Sequence, residues 1–135
     1  MNKDEFLFEI TASDGKKYNA EITLLNVNAV SGSFGIMKDH VPVVAFLGIS
    51  TFNIITKGEK KYFAVSEGVL RVEKGKAVIV AGTFEDRDEL DKDRILHKKE
   101  EAERKISSCG DKELGMMAAE VSLKKALNRL SLLEK

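Results

Sequence analysis

Glycine is distributed unevenly along this chain, and that limits what it can fold into more than any other feature. Eight of the ten glycines and the single proline lie before residue 84. In the same stretch β-branched and aromatic residues come in short runs between glycine-containing turns, the pattern of a sandwich or barrel. The alternation F-L-F-E-I-T predicts a strand over residues 6–11, closed by an Asp14-Gly15 turn. Further strands are predicted over 18–25, 41–47, 51–56, 61–65, 69–73 and 76–80. Lys57-Gly58-Glu59-Lys60 reads as one hairpin turn and Lys74-Gly75 as another, tighter one. No helical pattern separates these strands, which favours a sandwich over βαβ units. Gly32-Ser33-Phe34-Gly35 is predicted as a turn that uses glycine's backbone freedom. It lacks the Gly-Lys-Ser/Thr that would make it a phosphate loop.

Past Thr83 the pattern changes. Residues 85–93 hold six acids and two bases, a charge load that suits the positive end of a helix dipole. Asp88, with Asp91 three positions on, is predicted to cap the first helix. The acid-before-base pairs Asp88/Lys92, Glu100/Arg104 and Glu101/Lys105 would each add about 0.2–0.5 kcal/mol. Ser107-Ser108-Cys109-Gly110-Asp111 stops the helix and turns the chain, with Cys109 a small turn residue. A second helix is predicted over 113–133. Its stripe of Met116, Ala119, Leu123, Ala126, Leu130 and Leu133 recurs at helical spacing. The first helix offers less: Leu90, Ile95, Leu96, Ala102 and Ile106. A short loop makes the two antiparallel neighbours, and so thin a seam leaves the pair marginal alone. The expected fold is an all-β sandwich of about ten strands over residues 1–84, then an antiparallel two-helix hairpin over 85–135.

Composition excludes several functions. Lys+Arg and Asp+Glu each number 22, so the basic footprint of a nucleic-acid binder is missing. One cysteine permits no internal disulfide and suits a reducing compartment. The start of the chain resembles neither a signal nor a transit peptide. No run approaches the roughly 18 apolar residues that span a bilayer, so direct membrane insertion is not expected. His40 and His97 have no Cys or carboxylate at metal-ligand spacing. No Ser or Cys stands beside a plausible base. A small hydrolase is therefore disfavoured, while a β-sandwich binding module with a partner-docking hairpin remains open.

Three stretches together resemble one family. Gly32-Ser33-Phe34-Gly35-Ile36-Met37-Lys38-Asp39-His40-Val41-Pro42 is similar to the G-E-[FL]-G-[IV]-[LY]-P-G-H-[AI]-P pattern of F-type ATP synthase epsilon subunits. Ala64-Val65-Ser66-Glu67-Gly68-Val69-Leu70-Arg71-Val72 resembles their A-x-S-G-G-[FIV]-L-E-V, and Leu123-Lys124-Lys125-Ala126-Leu127-Asn128-Arg129-Leu130 their L-x-[KR]-A-x-x-R-L. The resemblance implies a non-catalytic rotor part at the cytoplasmic face of a bacterial plasma membrane. Its sandwich would hold the gamma subunit and touch the polar loops of the c-ring. Its hairpin, when extended, would meet the beta and alpha subunits and block ATP hydrolysis.

The carry-over to residues is specific. Ser33, Phe34, Lys38, Asp39 and His40 stand in the ring-facing segment, with Ser33 replacing a Glu and Lys38-Asp39 replacing Pro-Gly. His40 either contacts the ring or braces the turn before Pro42. Ser108, Lys124, Lys125 and Arg129 would face the catalytic head. Some bacterial members bind regulatory ATP through [IL]-D-x-x-R-A. Leu90, Asp91 and Arg94 match that motif and Ile95 replaces its Ala. Arg129 and Glu85 match accessory positions, while Lys125 stands where an Arg is common and cannot offer its fork. The alternative for Asp91 and Arg94 is a set of purely structural pairs.

Overall fold

The computed structural model describes residues 3–108 and 113–134, which leaves Cys109 and the turn read there outside the described residues. Eight strands run in chain order: β1 (Phe6–Ala12), β2 (Lys17–Ile22), β3 (Leu24–Ala29), β4 (Gly32–Ile36), β5 (Val43–Leu47), β6 (Ser50–Thr56), β7 (Glu59–Glu73) and β8 (Lys76–Asp86). A single 3-10 turn at Arg87–Glu89 then leads to α1 (Lys92–Ser108) and α2 (Glu113–Leu133). The chain divides into two units, residues 1–87 and 88–135.

The strands form one hydrogen-bonded path, β2-β1-β8-β7-β6-β3-β4, with β5 added to the side of β7. That path is folded into two layers because β7 and β8 bend together. Residues 59–65 of β7 pair with β6, and residues 68–72 pair with β5. At the bend the buried side chains change parity. Phe63 and Val65 are buried before it, and Leu70 and Val72 after it; β8 matches them with Phe84, then Ala81 and Ile79. Each half therefore keeps its apolar side inward as the ribbon passes from one layer to the other, as strands do at sandwich corners. The first layer is β5, the later half of β7, the early half of β8, β1 and β2. The second is the remaining halves of β8 and β7, then β6, β3 and β4. Counted this way the strand segments number ten, as the sequence led us to expect.

Two glycines make the corner possible by close approach. A Cβ on Gly68 would lie 3.0 Å from the Val80 carbonyl oxygen, and one on Gly82 would lie 3.1 Å from that of Ser66. The Ser66 and Thr83 hydroxyls bond across the corner at 2.6 Å, and the Thr83 amide donates to Ser66 Oγ at 3.0 Å. Both are polar groups in a half-buried place, and each satisfies the other. Between the layers Phe52 and Phe63 stack at 4.9 Å, with Phe8 5.8 Å from Phe52 and Tyr18 5.3 Å from Phe63. These rings come from both layers; the three phenylalanines belong to a cluster of twenty buried residues, and Tyr18 packs against it.

Both hairpin turns form as read. Thr56 pairs with Glu59 across Lys57-Gly58, both at positive φ, the geometry that matches strand twist. Glu73 pairs with Lys76 across Lys74-Gly75. Three expectations change. The single strand over 18–25 is two, because at Thr23 the chain leaves β1 and crosses to the second layer, where its amide donates to the Ile55 carbonyl. Gly32-Ser33-Phe34-Gly35 is an edge strand, β4, rather than a turn; a Cβ on Gly35 would press within 3.0 Å of Asn26 Oδ1. β8 also runs past Phe84, since Glu85 and Asp86 pair with Ala64 and Phe63, so the two units meet after Arg87 rather than after residue 84.

The cap of α1 is Asp91, not Asp88. Its Oδ1 accepts from the amides of Asp93 (3.1 Å) and Arg94 (3.3 Å), as an N-cap carboxylate does. Asp88 belongs to the separate 3-10 turn, so its spacing to Lys92 is not a helical one. The side-chain contacts His97–Glu101 (3.5 Å) and Lys99–Glu103 (3.7 Å) run base before acid, the weaker order. The two helices pack along their length. Ile95, Ala102, Ala119, Ala126 and Leu132 are buried, whereas Leu123, Leu130 and Leu133 of the expected stripe are half-buried.

Candidate functional site

Strand alternation turns one side chain in two outward, and on the first layer those outward residues are unusual. The register sets Phe46, Val69 and Val80 in one row across β5, β7 and β8, continued by Thr11 of β1. The next row holds Val44, Arg71, Val78 and Glu9. Val30 adjoins the first row, its amide donating to the Phe46 carbonyl. Phe46 is 67% exposed, and Val30, Val44, Val69 and Val80 are exposed as well. Scattered surface valines mean little, but contiguous large apolar side chains on a sheet face mark an interaction surface. Four of the charges on this face pair two by two: Arg71 with Glu73 at 2.9 Å and Lys76 with Glu9 at 3.3 Å.

The second layer shows the opposite chemistry. Asn26 Nδ2 donates to Asn53 Oδ1 (3.0 Å), Asn28 Nδ2 to the Thr51 carbonyl (2.8 Å), and Ser33 Oγ to Asn28 Oδ1 (2.6 Å). Ser33 is thus the edge of a polar ladder, and its hydroxyl is engaged within the molecule.

Residues Met37, Lys38, Asp39 and His40 form a tight turn, closed by the His40 amide donating to the Met37 carbonyl at 3.2 Å. Asp39, third in the turn, has φ 67°. This is the position where a type II turn wants glycine, with proline before it. Pro-Gly therefore suits the site better than Lys38-Asp39, and Asp is one of the few other residues that tolerate the conformation. The His40 ring is held twice: Nδ1–H donates to the Val41 carbonyl at 2.7 Å, and the ring stacks on Phe34 at 6.5 Å. The Lys38 ammonium donates to the Lys3 carbonyl. Lys38, Asp39, Met37 and Val41 remain exposed.

In the hairpin a cleft of about 570 Å³ opens between α1 and α2. Lys98, Lys105, Lys125 and Arg129 line it, with Glu101 the one carboxylate among the described residues, and Ala102, Ala118 and Ala119 form part of its wall. The structure therefore brings Lys125 and Arg129 together. Leu90 and Asp91 precede α1 and Arg94 lies in its first turn, all outside the cleft's lining, and Asp91 already serves as cap. Glu85 is the penultimate residue of β8, in the sandwich unit. Lys124 is exposed, and Ser108, at the end of α1, donates to the Lys105 carbonyl.

Lys98 of the cleft was not singled out from sequence, and Lys105 was read only as the helical partner of Glu101 on a solvated charged helix. The apolar face was missed too. Its signal was V-V-A-F-L over β5, a run without polar alternation, which belongs to a strand covered on both sides.

Comparison with known proteins agrees with this architecture. Residues 5–87 match the family described as ATP synthase, Delta/Epsilon chain, beta-sandwich domain, and residues 88–134 match its long alpha-helix domain. The ATP synthase epsilon chain of Bacillus licheniformis is 36% identical over 121 residues, 90% of this chain and 92% of that one. Its counterpart in Bacillus cytotoxicus is 35% identical over 127 residues, 93% of each. A chain of the Euglena gracilis mitochondrial ATP synthase, in a structure of its OSCP, F1 and c-ring, has the same fold. Its TM-score is 0.81 at 19% identity, covering 96% of this chain and 81% of that one. The chain belongs to the ATP synthase delta/epsilon family and is a non-catalytic subunit of that machine. Membership also sets aside the unrelated binding module and the small hydrolase.

Proposed function

We propose that this chain is an epsilon-type part of the central stalk of a bacterial ATP synthase, peripheral to the membrane at its cytoplasmic face, where it couples c-ring rotation to the catalytic head. One observation carries the reading: the uncovered apolar row Phe46–Val69–Val80, with Val44 and Val30 beside it, on a family member whose neighbouring charges are already paired. A large apolar side chain moved from water into a contact contributes about 1.5–3 kcal/mol. A rigid sheet face of this kind suits permanent attachment to the gamma subunit. The turn at 37–40 suits the polar loops of the c-ring, because Lys38 and Asp39 project from it and the hydrogen-bonded His40 stiffens it.

The hairpin is the regulatory arm. Its buried seam is mostly alanine, so little apolar area holds the two helices together and a partner competes with it easily. Extended, the arm offers Lys124, Lys125, Arg129 and the Ser108 end of α1 to acidic surfaces of the beta and alpha subunits and blocks hydrolysis. ATP acts against that state. The basic cleft is the seat for its phosphates, with Arg129 and Lys125 inside it. Bound to one hairpin state only, ATP stabilises that state by about 2.7 kcal/mol at 100 times its dissociation constant.

The test is reconstitution of inverted membrane vesicles stripped of this chain. Wild type should restore ATP-driven ion pumping, and Phe46→Asp should fail to. Equal restoration by Phe46→Asp would remove the docking face. Deleting residues 88–135, which leaves β8 whole, should keep coupling and raise ATPase activity; unchanged ATPase would end the inhibitory reading. Calorimetry with ATP on wild type and Arg94→Ala addresses the nucleotide. No heat from wild type at millimolar ATP would end that part.

A further inference from the structure

We infer that Glu67 is a charge selector on the docking face, reading a lysine or arginine on the partner surface that covers Phe46, Val69 and Val80. The inference rests on the docking role of that face and adds a specific complementarity to it. Glu67 sits at the corner of β7 with φ 43°, a backbone conformation that glycine adopts freely and a side chain adopts at a cost. Such outliers persist where a function needs the side chain. Nothing among the described residues repays the cost. Among the described residues the Glu67 carboxylate has no hydrogen-bond or ion-pair partner, while Arg71, Glu73, Lys76 and Glu9 on the same layer are paired. Glu67 is exposed, so in the free chain water solvates it and its charge is neutral in its effect.

Its position changes that once the face is covered. Gly68, its neighbour, pairs with Leu47 of β5 and Ala81 of β8, one register step from the row Phe46–Val69–Val80. A partner seated on that row therefore reaches the corner and strips water from the carboxylate. An unpaired charge there would oppose binding, and a cation opposite it would favour binding and exclude neutral or acidic competitors. The corner is also stiff, braced by the Ser66–Thr83 bonds and the close approach at Gly68 and Gly82. A stiff backbone fixes where the side chain starts, which lowers part of the cost of pairing, although the side chain's own rotamer freedom is still lost.

Binding of the full chain to ATP synthase depleted of this subunit, followed by biolayer interferometry at low and high salt, tests the idea. Glu67→Gln should bind roughly thirty-fold more weakly, the lower range for removing one partner of a covered charge pair, and with a shallower salt dependence. Glu67→Gly should lose the same affinity while melting at a higher temperature than wild type, so a folding defect is not the cause. If Glu67→Gln binds like wild type while Phe46→Asp binds poorly, the selector is wrong and the docking face stands. If Phe46→Asp also binds like wild type, the face is not the seat and the selector falls with it. A dimer of the isolated chain that Phe46→Asp abolishes would make a second copy the occupant and overturn the proposal equally.

Discussion

The sandwich and the hairpin hold themselves together with very different amounts of apolar material. The sandwich buries a single cluster of twenty residues, including five phenylalanines, Phe6, Phe8, Phe52, Phe63 and Phe84. Among its described residues the hairpin buries only five apolar ones, and Ala102, Ala119 and Ala126 are three of them. A phenylalanine contributes about 1.5–3 kcal/mol on burial and an alanine methyl a fraction of that. The contrast teaches where rigidity is placed: the sandwich is over-determined, and the hairpin is held by small side chains and a cap.

That contrast can be broken from either side. The largest effect belongs to the aromatic centre. Phe52→Ala should cost about 3–5 kcal/mol, seen as an earlier urea midpoint for the β signal; a loss under 1 kcal/mol would mean the stacked rings are not the keystone. Next comes the seam. Ala126→Leu puts a large side chain into a buried position and should cost the hairpin about 1–3 kcal/mol. Helical circular dichroism should soften at lower temperature while the β transition stays put, and coincident shifts would show that the units do not unfold separately. The cap is smaller. Asp91→Ala should cost about 1 kcal/mol of helix stability, and Asp91→Asn should recover most of it.

The smallest effect concerns alkaline pH. Lys61 lies 3.4 Å from Asp86 and 5.0 Å from the Tyr18 ring centre. Burial by itself lowers its pKa, but attraction by Tyr18 and Asp86 outweighs that and raises it above 10.5. A raised folded value means the protonated form favours folding, so the contribution is complete below 10.5 and disappears as pH climbs through the higher folded value. The stability that Lys61 adds to the sandwich should be independent of pH near neutrality and decline above about 10.5. Lys61→Met should flatten that decline when melting is followed from pH 8 to 11.5.

Much of this was legible from residues alone. The glycine break separated the two parts, Lys57-Gly58 and Lys74-Gly75 marked their hairpins, and α2 begins and ends where periodicity put it. These are local decisions, made by backbone freedom and by the spacing of apolar residues within one segment. Candidate site residues were legible in part. Lys125 and Arg129, one turn apart, could only fall together, whereas their cleft needed Lys98 and Lys105 from the facing helix.

What only the tertiary structure decided involves partners distant in sequence. Thr23 breaks a strand because Ile55 waits on the other layer to accept its amide. β1 lies parallel to β8, a pairing no hairpin signal announces. Asp91 outcompetes Asp88 as cap because β8 holds its strand to Asp86 and a 3-10 turn follows. The exposed face of Phe46, Val69 and Val80 exists only once β5 is laid beside β7 and β7 beside β8. Sequence states that those residues are apolar; which side of the sheet they occupy, and that nothing in the described fold covers it, is set by register and by the corner at Glu67.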